Sequence, residues 1–118
     1  MLVVEDDADV LDVLADVARM TGYDVTSVMH PDQVIDEALR VHPDLFLIDV
    51  MLPGMSGIDL AERLRSSRFH TTPMIAMSAS AGMLQVAAQS GMFQDTLAKP
   101  FELVALLDAV ERLVERAV

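Results

Sequence analysis

The chain has 118 residues, enough for one sizeable hydrophobic core, and 53% of them are apolar, slightly above the usual share for a soluble domain. Its 8 basic residues against 19 acidic ones leave a formal charge of -11, which excludes unaided binding to a phosphate backbone. With no cysteine, it excludes disulfides, thiolate catalysis and thiolate zinc sites, and it is compatible with a reducing compartment.

The first strong run, LVVEDD, sets three apolar residues before an acidic cluster and reads as a short buried strand whose C-terminal end meets that cluster. A helix follows over residues 8–21, with Val10, Leu14, Val17 and Ala18 on one face and Gly22 as its stop. Residues 24–28, DVTSV, alternate like a strand. A second helix is expected from about Asp32, with Ile35, Ala38 and Leu39 as its apolar stripe. His42-Pro43 ends it, because the residue before a proline is driven out of the helical region. LFLI, residues 45–48, is apolar on both faces, as in a central parallel strand covered from both sides, and Asp49 closes it.

After a Pro53-Gly54 turn, a helix from about Ser56 carries Ile58, Ala61 and Leu64, and PMIAMSA from Pro73 is another buried strand. Residues 69–94 hold no formally charged side chain, a length that raises the question of a membrane span. Pro73, Gly82, Gly91 and the serines and glutamines between them interrupt it too often, so it fits a buried strand and a short helix over residues 83–90. TLA before Lys99 is the last strand. The final helix carries Leu103, Leu106, Leu107, Val110, Leu113, Val114 and Ala117 at helical spacing. No linker-like stretch divides residues 1–118, which read as one domain. The N-terminus has no basic segment followed by a long apolar run, so no signal peptide is read and a cytoplasmic address is expected.

Strands alternating with helices five times over specify a parallel sheet with right-handed crossovers, a three-layer doubly wound α/β domain. In such sheets the site lies outside the C-terminal ends of the strands. Reactive residues collect there: Glu5, Asp6 and Asp7 after strand one, Asp49 after strand three, Ser78 after strand four, and Lys99, the only lysine, after strand five. A central third strand brings Asp49 beside the end of strand one, where carboxylates crowd and repel. Mg2+ relieves such repulsion and prefers one or two carboxylates plus waters and phosphate oxygens. With an ammonium and a hydroxyl nearby, the set suits a phosphoryl group, and a central carboxylate can itself accept it as an acyl phosphate.

VVEDDADV, LIDVMLPGMSGIDL, PMIAMSA and LAKPF, in this order and across the whole chain, resemble the successive signatures of the response regulator receiver domain. The resemblance implies a flavodoxin-like (βα)5 sandwich of strand order 2-1-3-4-5, and a signalling domain with self-phosphorylation and dephosphorylation chemistry rather than an enzyme. It implies Asp49 as the phosphoacceptor, charged from a phosphohistidine on a sensor histidine kinase or a histidine phosphotransfer protein. Asp6 and Asp49 would hold Mg2+ through their side chains, Met51 through its backbone carbonyl, and Glu5 through a bound water. Ser78 would donate its hydroxyl to a phosphoryl oxygen, Lys99 would pair with Asp49 or its phosphate, and the Lys99-Pro100 bond would be cis. A homodimer through the fourth helix, fifth strand and fifth helix belongs to the same implication. Direct binding to nucleic acid or membrane does not, and no effector domain is read in these residues.

The chain departs from the family pattern at Thr96, where many receivers carry an aromatic residue that swings inward on phosphorylation. Threonine cannot bury comparable area. Met51 and Ser80 fall at the two positions that tune phosphoryl loss in the family, and an apolar Met51 cannot position an attacking water, so slow self-hydrolysis is expected. Met83, Leu84, Met92 and Phe93 read as core rather than as a partner surface. His30, His42 and His70 lack metal-ligand spacing, and Asp12 and Asp16 read as a solvated helix face.

Competing readings are a receiver that only docks to a partner and an aspartyl-phosphate phosphatase. The phosphatase would need a second acid where Met51 stands. A flavodoxin-like electron carrier would need a phosphate-cradling first loop, which Glu5-Asp6-Asp7 would repel.

Overall fold

Successive side chains of a strand point to opposite faces, so a strand that is apolar throughout needs a covering layer on each side. The computed structural model describes the backbone of residues 1–117 and the side chains of residues 1–114, and it shows this arrangement. Strands β1 (Leu2–Val4), β2 (Thr26–Val28), β3 (Phe46–Asp49), β4 (Met74–Ser78) and β5 (Asp95–Ala98) form one parallel sheet in the order β2-β1-β3-β4-β5. Between them run helices α1 (Ala8–Thr21), α2 (Val34–Val41), α3 (Gly57–Arg65) and α4 (Ala81–Gln89), and α5 (Leu103–Ala117) closes the fold. The doubly wound (βα)5 expectation holds, strand order included.

The pleat sorts the core into two halves. Leu2, Val4, Phe46, Ile48, Met74 and Ala76 face α2, α3 and α4, which contribute Val34, Ala38, Leu60, Ala61, Leu64 and Ala87. Val3, Leu47, Ile75, Met77 and Leu97 face α1 and α5, which contribute Val10, Leu14, Val17, Leu106, Ala109, Val110 and Leu113. On the first face Phe46 and Phe69 meet edge to face, ring centroids 5.4 Å apart. Among the described residues no helix is long and apolar enough to cross a membrane, so the uncharged stretch over residues 69–94 is strand β4 and helix α4, as its interruptions indicate.

Several boundaries differ from the expectation. The second strand starts at Thr26 rather than Asp24, and the second helix opens with a 3-10 turn, Pro31–Gln33, before α2. On α2 Val34 and Ala38 are buried and Ile35 is partly buried, while Leu39 is exposed: with only two turns, the helical period fits more than one face. His42 leaves the right-handed region as expected of a residue before proline, and caps α2 in the left-handed conformation, φ 50° and ψ 64°. Gly22 does the same for α1 at φ 76°. Helix α4 begins at Ala81, two residues before the expected 83, because Ser80 supplies the N-cap. Phe93 is buried, and Met83, Leu84 and Met92 are partly buried against the same core, as read from their spacing. The side chain of Ala117 lies outside the described residues.

At the end of the sheet away from the acidic residues, Arg65 ties three segments together. One terminal nitrogen of its guanidinium donates to the carbonyls of Phe69 (3.0 Å) and Thr72 (2.6 Å), the other to the carbonyl of Met92 (2.7 Å) and to Gln94 Oε1 (3.0 Å). Gln94 Oε1 also accepts the N–H of Met74 at 2.8 Å, and the Gln94 N–H donates to the Met74 carbonyl at 2.9 Å. Burial lowers the Arg65 pKa from its ordinary value, since its oxygens are carbonyls and no carboxylate offsets the lost water.

The approach of α3 to β3 depends on Gly57. A Cβ there would lie 2.3 Å from the carbonyl oxygen of Asp49 and 2.8 Å from Val50 Cα, and both neighbours are backbone, which cannot swing aside. Gly57→Ala is therefore expected to destabilise the fold by about 3 kcal/mol, the upper end of ordinary overpacking, measured by urea unfolding. A loss below about 1 kcal/mol would show that the loop after Asp49 gives way easily.

Candidate functional site

Parallel register decides which strand ends meet. Val4 pairs with Ile48, so the residues that follow, Glu5 and Asp49, stand side by side at the carboxyl edge of the sheet. Ser78 pairs with Ala98, and the Lys99 N–H donates to the Ser78 carbonyl at 2.9 Å, which brings the ammonium-bearing residue to the same edge. The peptide bond from Lys99 to Pro100 is cis.

Glu5 is fully buried. Its Oε1 accepts the N–H groups of Asp6 and Asp7, each at 3.0 Å, which fixes the carboxylate against its own backbone. Its Oε2 pairs with the Lys99 ammonium at 2.5 Å. The same ammonium donates to Asp49 Oδ2 at 2.9 Å, and Asp49 Oδ1 accepts the Met51 N–H at 2.9 Å.

Burial raises the Glu5 pKa above its ordinary value, and the Asp49 charge adds to that; Lys99 and the Asp7 N–H only partly counteract them. Burial pulls the Lys99 ammonium the other way, but its hydrogen bonds to Glu5 and Asp49, with their charges, outweigh that and hold its pKa above 10.5. The two shifts have one sign and different winners. Glu5 has lost all its water, whereas Lys99 faces two carboxylates at once.

One oxygen each from Glu5, Asp6 and Asp49 lies within 4.8 Å of the others. Three carboxylate oxygens gathered so closely suit a hard cation such as Mg2+. Met51 touches the cluster through its backbone N–H, and its side chain is exposed. Asp7 leaves the cluster: its Oδ1 accepts the Asp9 N–H at 2.9 Å and caps α1. The histidines take no part in any acidic or metal-ligating group among the described residues.

Ser78 is buried, and its Oγ accepts the N–H of Ser80 at 3.0 Å. Thr96 lies on β5 opposite Ala76 and is half-buried. A cleft of about 320 Å³ opens beside Lys99, walled by Val10 and Val13 of α1 and by Pro100 and Phe101. Two features escaped the sequence reading. One is the pairing of Lys99 with Glu5 as well as Asp49; the other is the Arg65 tie, for which the only signal was an arginine in the last turn of an otherwise ordinary amphipathic helix.

Comparison with known proteins agrees with this geometry. The chain is 36% identical over 114 residues to the DNA-binding response regulator MtrA of Mycolicibacterium paratuberculosis, covering 92% of this chain and 49% of that protein. It is 30% identical over 117 residues to the transcriptional regulatory protein PrrA of Mycobacterium leprae, covering 98% of this chain and 50% of that one. The chain thus spans about half the length of these curated relatives. Among solved structures it resembles the receiver domain of the sensor histidine kinase PA1611 from Pseudomonas aeruginosa, which has a magnesium ion coordinated in its active site cleft. The TM-score is 0.84 at 31% identity, covering 97% of this chain and 95% of that one. A family model described as the response regulator receiver domain matches residues 1–111, and with carboxylates, ammonium and hydroxyl gathered at one edge of a 2-1-3-4-5 sheet, the chain belongs to the response regulator receiver domain family.

Proposed function

We propose that the domain accepts a phosphoryl group on Asp49 from the phosphohistidine of a sensor histidine kinase or a histidine phosphotransfer protein, in the cytoplasm, with Mg2+ bound. The observation that carries this reading is Asp49 itself, nearly buried at the end of a central strand, with one oxygen held by the Met51 N–H and the other by Lys99. So held, the carboxylate is presented to a donor without the rotational freedom of a surface side chain. Asp49 attacks phosphorus, the O–P bond forms as the N–P bond breaks, and the imidazole departs neutral when its other ring nitrogen carries a proton.

Asp6, Asp49 and the Met51 carbonyl would hold Mg2+ directly and Glu5 through a water, and the ion supplies positive charge against the phosphoryl oxygens. Lys99 pairs with a phosphoryl oxygen once its carboxylate partner is esterified, and Ser78 donates its hydroxyl to another. The apolar cleft beside Lys99 is where the donor's helix would rest. Dimerisation through α4, β5 and α5 remains part of the same proposal, as does the absence of direct nucleic-acid contact by this domain.

Intact-mass measurement tests the reading. Acetyl phosphate with Mg2+ is expected to add one phosphoryl group to the folded protein, and a chelator in excess of Mg2+ is expected to prevent it. No added mass on the folded wild type would leave a docking module as the better description. Once phosphorylated, Met51→Asn is expected to lose the group about tenfold faster than the wild type, because an amide can orient the attacking water and a thioether cannot. Equal decay rates would remove Met51 from the control of lifetime.

A further inference from the structure

Charge is spread unevenly along the chain. Against a formal charge of -11 for the whole, residues 63–94 hold Arg63, Arg65 and Arg68 and no aspartate or glutamate. Arg19 pairs with Asp16, Arg40 with Glu37, Arg112 with Asp95, and Lys99 with Glu5 and Asp49. Among the described residues, Arg63, Arg65 and Arg68 are the arginines with no carboxylate in ion-pair reach. Arg65 is turned inward, whereas Arg63, Arg68 and His70 are exposed. The inward arginine shapes the surface that the others present. By holding the carbonyls of Phe69 and Thr72, it fixes the turn after α3 and occupies two of the turn's acceptors. The hydroxyls of Ser66 and Ser67 are also used locally, donating to the carbonyls of Glu62 and Leu64. The turn therefore offers outward two guanidinium groups and an imidazole, set in place before any ligand arrives, which lowers the ordering cost of binding. Arg63 and Arg65 suit the C-terminal end of a helix dipole, but Arg68 and His70 lie beyond α3, where that explanation ends.

We propose that the turn from α3 to β4 docks an acidic segment of a protein partner through Arg63, Arg68 and His70. At physiological salt, charges act over about 8 Å, so a few carboxylates seated on the turn feel these cations more than the net charge of the domain. A nucleic-acid backbone extends well beyond that distance and meets the acidic remainder of the chain. Asp59 and Glu62 share a groove with Arg63 without pairing with it, so the segment approaches from the Arg68 side. The turn leads into the start of β4, whereas Asp49 ends β3, so the two lie at opposite edges of the parallel sheet. Docking there leaves the phosphoryl edge free and does not depend on phosphorylation.

Titration of the isotope-labelled protein with a capped tetraglutamate peptide, read as amide shifts by NMR, tests this. Saturable shifts concentrated at residues 63–72 are expected, with an affinity that falls about fivefold between about 50 mM and about 300 mM salt. Arg63→Gln combined with Arg68→Gln is expected to weaken binding about tenfold. Arg19→Gln combined with Arg40→Gln removes the same charge from another part of the surface and is expected to change binding less than about twofold. All four side chains are exposed, so both double variants keep the core intact. The proposal is overturned by a peptide that causes no shift at residues 63–72, by shifts scattered over the molecule, or by equal weakening in the two double variants. Tighter binding of a short DNA duplex than of the peptide at this turn overturns it as well. Each of these results leaves the phosphoacceptor reading standing, since that reading is decided by phosphoryl mass on Asp49.

Discussion

Asp49→Asn is expected to gain no phosphoryl group from acetyl phosphate and Mg2+ under conditions in which the wild type gains one, while remaining folded. The substitution is nearly isosteric, and an asparagine oxygen in the place of Oδ1 still accepts the Met51 N–H, so the loop between β3 and α3 keeps its anchor. It removes the proposed nucleophile and one charge of the acidic cluster, and its NH2 group would face the Lys99 ammonium in place of Oδ2. The affinity for Mg2+ is expected to fall by at least about tenfold, or about 1.4 kcal/mol, read by calorimetric titration. The two readouts separate two roles. A variant that binds Mg2+ weakly yet still gains a phosphoryl group would show that a different residue is the acceptor.

Lys99→Ala is expected to destabilise the metal-free protein by about 3 kcal/mol at pH 7, because it leaves Glu5 and Asp49 as buried carboxylates without their counter-charge. An exposed pair would contribute under about 1 kcal/mol, but the Glu5 side chain is 0% exposed and that of Lys99 is 14%, so the larger figure applies.

The pH dependence follows from the two shifts. The Lys99 pKa is raised, so its stabilisation is fully present below its ordinary 10.5 and lost as pH rises through its folded value. The Glu5 pKa is raised mainly by burial, and removing Lys99 raises it further; as pH falls through that value toward 4.5, Glu5 takes a proton and the penalty of the variant shrinks. Urea unfolding from pH 4.5 to 11 is therefore expected to show the wild type and variant farthest apart in the middle of the range. Mg2+ is expected to stabilise the variant more than the wild type, since the cation meets no ammonium in the cluster. Equal stabilities at pH 7 would mean that the pair is solvent-screened in solution.

Much of this was readable before any coordinates. The order of elements is encoded by apolar runs too short for helices alternating with segments of helical period, and strict alternation leaves the parallel sheet as the plain solution. Strand ends at one edge then name Asp49, Ser78 and Lys99 as neighbours. What stayed hidden depends on register or on a single turn of chain. Glu5, Asp6 and Asp7 look alike in the sequence; the strand turns the first inward, leaves the second to the cluster and gives the third to a helix cap. On α2 the pattern names Ala38 and Ile35 correctly but offers exposed Leu39 in place of buried Val34, because two helical turns constrain a stripe poorly. Arg65 looked like one more solvated charge, since its acceptors are backbone carbonyls, which no side-chain pattern announces.

The cluster joins the first strand of the sheet to the last: Glu5 follows β1 and Lys99 follows β5. During synthesis, the acids of β1 and β3 emerge well before the only lysine, and β5 occupies the far edge of the sheet. Without that edge strand, the carboxylates would lack the protein cation that pairs with them in the folded sheet and would repel one another. If Asp49 is charged as proposed, a copy in which β5 has opened lacks Lys99 at the cluster, and the modification would report that the whole sheet is in place.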